Sequence, residues 1–142
     1  MPAISKIRFT NVIYENGEKR YNDDIFRFDG HNGAILLENG GGKTVFVQTA
    51  IQTVLPHSDL AERKIKNTLM LENSAAHIAI EWILSEKPRR YALTSVTLFM
   101  NRGAVDSLKY VYEYEEGDDN SIEKLPFVKE SVNGKKRPAT KE

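Results

Sequence analysis

Cysteine is missing from the 142 residues, so disulfides and thiolate metal sites are excluded. Net charge is missing as well, because 20 Lys and Arg balance 20 Asp and Glu. Global charge therefore gives no argument for a polyanionic partner, and any nucleic-acid contact has to come from local patches. No apolar run is long enough to cross a bilayer, and Met1–Thr10 contains no signal-peptide core. A cytoplasmic protein with no membrane partner is the expectation that follows. Internal repeats and sustained heptads are absent too. His31, His57 and His77 share no metal-ligand spacing. The chain is long enough for one domain with a real core.

What is present is organised around Ile35–Ala50, ILLENGGGKTVFVQTA. An apolar run ends in a glycine tract, and Lys43-Thr44 then open a segment with helical spacing at Phe46, Val47, Ala50, Ile51 and Val54. The order strand, loop, helix is that of a phosphate-binding P-loop. Gly40, Gly41 and Gly42 have no Cβ, so the backbone can curl until successive N–H groups converge on an anion. Asn39 suits the bend. The following helix adds its N-terminal dipole. Lys43 has the reach for β- and γ-phosphate oxygens, and the Thr44 hydroxyl can complete a Mg²⁺ shell. Leu37 stands where the strict pattern G-x-x-x-x-G-K-[ST] has its first glycine. The plainer reading of the same residues is a glycine-rich turn before a helix.

Around this loop the pattern predicts strands. Ala3–Tyr14 alternates and reads as half-buried, with Ile7, Phe9 and Ile13 inward. Glu15-Asn16-Gly17-Glu18 is a hairpin signal, and Asp24–Phe28 reads as the returning strand. Asp29–Gly33 reads as a turn. Ala34–Leu37 is apolar enough for a strand covered on both faces. The helix is predicted over Lys43–Leu55, stopped by Pro56. Ser58–Asn67 has the charge pattern of a short helix. His77–Leu84, Tyr91–Met100 and Ser107–Glu115 read as an antiparallel meander joined by short polar turns. Glu123–Val128 is a candidate further element. A polar, fraying tail is expected over 131–142, after a domain spanning 1–130.

Asn39-Gly40-Gly41-Gly42-Lys43-Thr44, preceded by paired strands and followed by a meander, resembles the N-terminal half of an ABC-type ATPase head. Within that class it is similar to the SMC, MukB and RecF-like group, whose loop reads Gly-x-Asn-Gly-x-Gly-Lys-[Ser/Thr]. Asn39, Gly40, Gly42, Lys43 and Thr44 match that loop, and Leu37 departs from it. The opening ISKIRFTNV also looks like the first strand of such heads. The resemblance implies an α/β fold of some α+β character, a P-loop NTPase half-head with N-terminal antiparallel strands, a central P-loop strand and helix, and a meander. It implies ATP and Mg²⁺ as cofactors, with Thr44 on the metal. It implies as partners the C-terminal half of the same head, a second ATPase head, DNA and accessory subunits. The family's signature motif, Walker B acids and Q-loop are not visible in the sequence, so no catalytic residue is assigned. The chain is therefore expected to be a fragment or one piece of a split head.

The function expected on this basis is ATP-driven head engagement acting on DNA, in chromosome maintenance or in defence against foreign DNA. A small stand-alone P-loop kinase and a degenerate scaffold serving as a binding module are the alternatives. Lys87, Arg89 and Arg90 cluster at a hairpin and are candidates for DNA contact, against the plainer reading of a solvated turn. Arg63, Lys64 and Lys66 form a similar patch, and Lys135-Lys136-Arg137 reads as a solvated tail. Asn11–Tyr14 could approach a nucleotide, or simply end a strand. Gln48 and Gln52 are expected to face solvent or a neighbouring element. His77 is placed on the outer face of its strand, and Trp82 and the tyrosine stripe in the core.

Overall fold

Long alternating segments and tight turns build a five-stranded antiparallel sheet. The computed structural model describes residues 3–14, 17–31, 33, 42–56, 69–71, 74–119, 121–130 and 136–138. The elements are β1 (Ala3–Tyr14), β2 (Lys19–Arg27), α1 (Gly42–Ile51), β3 (Ala76–Glu86), β4 (Arg89–Asn101), β5 (Ala104–Glu115), β6 (Val128–Glu130) and β7 (Lys136–Pro138). The five long strands lie in the order β2-β1-β3-β4-β5, every neighbour antiparallel. β6 and β7 form a separate pair.

This architecture corrects the α/β expectation. Among the described residues the fold is β-rich, with one ten-residue helix, and it is not an α/β P-loop half-head. The physical reason lies in the connections. Glu86 pairs with Arg89, and Asn101 pairs with Ala104, so two residues suffice at each turn and no crossover helix intervenes. Arg102 and Gly103 have φ of 52° and 80°, the left-handed pair that a two-residue hairpin requires. The predicted P-loop strand Ala34–Leu37 and the predicted helix Ser58–Asn67 lie outside the described residues. Within the segment read as a tail, Lys136–Pro138 is strand β7.

The sheet is covered on both faces. On one face α1 packs over Ile7, Phe9, Ile78, Ile80, Val96 and Leu98, all buried. Phe46 is the anchor: its ring centroid lies 5.0 Å from those of Phe9 and Phe26. On the other face residues 121–127 lie over Ala79, Ile83, Leu93 and Tyr114 through Ile122 and Phe127. β1 is therefore buried on both sides rather than half-buried. Asn11 has φ 57°, and Val12 and Tyr14 beyond it join the same core as Ile7 and Phe9. Ile13, expected inward, is only partly buried.

Candidate functional site

The sequence-predicted site falls at the start of α1. Gly42, Lys43 and Thr44 are the first three residues of that helix, while Asn39, Gly40 and Gly41 lie outside the described residues. A helix that begins at Gly42 leaves its first backbone N–H groups without an intrahelical acceptor. No acidic side chain stands in the first turn to compete for them. Unpaired N–H groups at a helix start suit an anion, and the side chains of Lys43 and Thr44 lie outside the described residues.

Packing fixes the direction of α1. Phe46, near its start, rests on β1 and β2. Past its end, Thr53 Oγ1 accepts from Thr94 Oγ1 of β4 at 3.3 Å, and the Val54 carbonyl accepts from Lys109 Nζ of β5 at 3.0 Å. The helix therefore crosses the sheet with its N-terminus on the β1–β2 side.

The inner face of α1 is not the one that apolar spacing predicted. Gln48, Thr49, Gln52 and Thr53 are buried with Val45 and Phe46, whereas Val47 and Val54 are 53 % and 44 % exposed. Phe46 sets the rotation, and local bonds then satisfy most of the buried polar groups. Gln52 Nε2 donates to the Gln48 carbonyl at 3.1 Å, and Thr53 Oγ1 donates to the Ala50 carbonyl at 3.1 Å. Thr49 Oγ1 is buried without a hydrogen-bond partner.

The basic cluster at the β3–β4 turn is only partly free. Arg89 pairs with Asp29 at 2.6 Å and with Glu86, and Arg90 pairs with Glu113 at 3.3 Å. Lys87 is exposed on the turn. Arg63, Lys64 and Lys66 lie outside the described residues. Asn11 is occupied within the fold, donating from Nδ2 to Ser74 Oγ at 2.6 Å and to the Ala75 carbonyl at 2.8 Å. His77 is on the face opposite α1 but is covered there. It stacks on Phe127 at 4.9 Å and shares a 2.9 Å bond with Thr97 Oγ1. His57 lies outside the described residues, and among those described no group of His, Asp and Glu could hold a metal ion.

Alternation missed a polar network under residues 121–127. Arg8, 4 % exposed, donates to both Asp23 carboxylate oxygens at 2.8 and 3.1 Å and to the Ile122 and Leu125 carbonyls, each at 2.9 Å. Its guanidinium also lies 4.7 Å from the Phe127 ring centre. Glu81 accepts from Ser5 Oγ at 2.7 Å and from the Tyr114 hydroxyl. Burial first, then the bond and charge of Glu81, push the Tyr114 hydroxyl well above the ordinary tyrosine range. Lys6 lies 2.6 Å from Glu123, and that hydrogen bond holds the Glu123 carboxyl below its usual value. Every member is tied to another part of the fold, so the network is a clamp on residues 121–127. No protein-family model, curated protein or solved structure matches the chain.

Proposed function

We propose that the chain is the ATP-binding part of an SMC/MukB-like ATPase whose heads engage on ATP and act on DNA. The observation that supports the reading best is the start of α1 at Gly42, which puts Gly-Lys-Thr in the first turn of a docked helix. Phosphate binding there needs a glycine tract, unpaired N–H groups and a cation, and it does not need a parallel sheet. The α/β fold expected of such a head is not part of the reading.

In this account Asn39–Gly42 supply backbone donors, Lys43 neutralises the β- and γ-phosphates, and Thr44 contributes its hydroxyl to Mg²⁺. ATP bound here would supply the free energy released on loss of its γ-phosphate. Hydrolysis needs a positioned water and charge neutralisation on both sides of that phosphate. The residues named act on one side, and the other side belongs to the C-terminal half-head and a second head. DNA is the substrate on which head engagement acts. Contact at Lys87, Arg89 and Arg90 would first have to draw Arg89 and Arg90 away from Glu86, Asp29 and Glu113.

Calorimetric titration of the chain with ATP and Mg²⁺ tests the reading. Weak binding is expected in the wild type and none in Lys43→Ala. Equal affinity in the two proteins would overturn it. Absence of binding by both, in the chain and after addition of its completing half-head, would favour the degenerate binding module instead.

A further inference from the structure

We infer that β5 is a self-complementary edge through which two copies of this chain pair into one continuous sheet. Among the described residues β5 ends the sheet, pairing only with β4 along its 12 residues. It is long for an edge strand, and an open edge is a template for a further strand. Val111 near its middle is 57 % exposed and Leu108 is 45 % exposed.

The sequence of β5 decides what fits that edge. Reading outward from Val111 in both directions gives Tyr110 and Tyr112, then Lys109 and Glu113, then Leu108 and Tyr114. In the antiparallel register centred on Val111, the two valines meet. Lys109 of each copy faces Glu113 of the other, and Tyr110 faces Tyr112. Opposite charges and aromatic pairs at directly opposed positions are the stabilising cross-strand combinations. Moving the centre to Tyr110 sets Lys109 against Val111 and removes both charge pairs. Moving it to Tyr112 keeps two charge pairs, now Lys109 with Glu115, but sets Val111 of each copy against a Glu113 carboxylate. The Val111-centred register matches charge with charge, ring with ring and valine with valine, and that joint match selects a second copy.

The surroundings agree. Lys109, Val111 and Glu113 lie on the α1 face, paired with Val96, Thr94 and Ala92. Val54 and Leu55, exposed by 44 % and 58 %, adjoin this seam through the Lys109 bond to the Val54 carbonyl. Two-fold pairing would bring both copies' Val54 and Leu55 to the same side of the seam. The opposite edge is built otherwise. Among the described residues β2 exposes no large apolar side chain, whereas β5 exposes Leu108 and Val111.

Sedimentation velocity of the 142-residue chain without nucleotide, over a range of concentrations, tests the pairing. The wild type is expected to dimerise. Lys109→Glu opposes like charges twice and should weaken the dimer about tenfold. Lys109→Glu combined with Glu113→Lys should restore it, which no folding defect would do. A wild type that stays monomeric, a single variant that associates as well as the wild type, or a double variant as weak as the single one would overturn the inference. Association that appears only with ATP and Mg²⁺ would also overturn it while supporting nucleotide-driven engagement.

Discussion

Arg8 occupies a position that alternation assigns to solvent. It has the same parity in β1 as Lys6 and Thr10, opposite to Ile7 and Phe9. In the fold it is buried, and its donors hold Asp23 and two carbonyls of residues 121–127. Arg8→Ala leaves a carboxylate and those carbonyls without their cation. Asp23 keeps about a third of its side chain in water, so the expected loss is about 2–3 kcal/mol, below the ~3–5 kcal/mol of a fully buried pair. Urea unfolding of the variant measures it. The sequence holds no local sign of this clamp. Period-2 alternation separates two faces, but it does not distinguish water from a second layer supplied more than a hundred residues later. The same blindness explains His77 and Thr97, both polar, both on the face opposite α1, and both buried.

At the scale of elements, strands were legible where alternation was clean. Ala3–Tyr14 is β1 to the residue, and the three strands of the meander extend the predicted ones by no more than three residues at either end. β2 begins at Lys19, ahead of the predicted Asp24, because Lys19–Asp24 is polar and takes its strand conformation from pairing with β1. The helix start was legible in Gly-Lys-Thr, but its buried face was not. Ten residues cannot hold a helix in water, so α1 depends on its anchor. Phe46→Ala removes the ring set between Phe9 and Phe26 and should cost about 3 kcal/mol. The cost should appear as faster amide exchange along α1 than along β3, with a lowered melting temperature. Equal protection of α1 in both proteins would mean that Gln48, Thr49, Gln52 and Thr53 hold the helix without its aromatic anchor.

At the scale of the molecule, the antiparallel meander could be read from three alternating runs with short polar links. The α/β class could not, because it rested on a motif of six residues and a resemblance in element order. The glycine tract itself lies outside the described residues, so of the candidate site only the helix-opening Gly42-Lys43-Thr44 can be compared with the sequence. A property of the whole sheet follows from its tyrosines. Burial foremost, helped by the Tyr14 hydrogen bond at Tyr21 and by neighbouring Tyr110 and Asp118 at Tyr112, pushes both hydroxyls up to about 12 from 10.0. Tyr114 is raised further, by burial and Glu81. Above pH ~10 the unfolded chain gives up phenolic protons that the folded chain keeps, so the unfolded state binds fewer protons and stability falls as pH rises. Stability from these groups is complete below that pH and declines through about 12. Melting followed by circular dichroism should therefore give a lower midpoint at pH ~11 than at pH ~9.

The order of the strands has a temporal side. β1 lies between β2 and β3, yet β2 follows it at once and β3 begins only at Ala76. During synthesis the first hairpin can close early, but its inner flank, with Ile7, Arg8, Phe9 and Thr10, has to wait while the glycine tract and helix emerge. For that interval the nascent chain presents an unfinished ribbon. The sheet gains its centre only when Ala76–Glu86 leaves the ribosome.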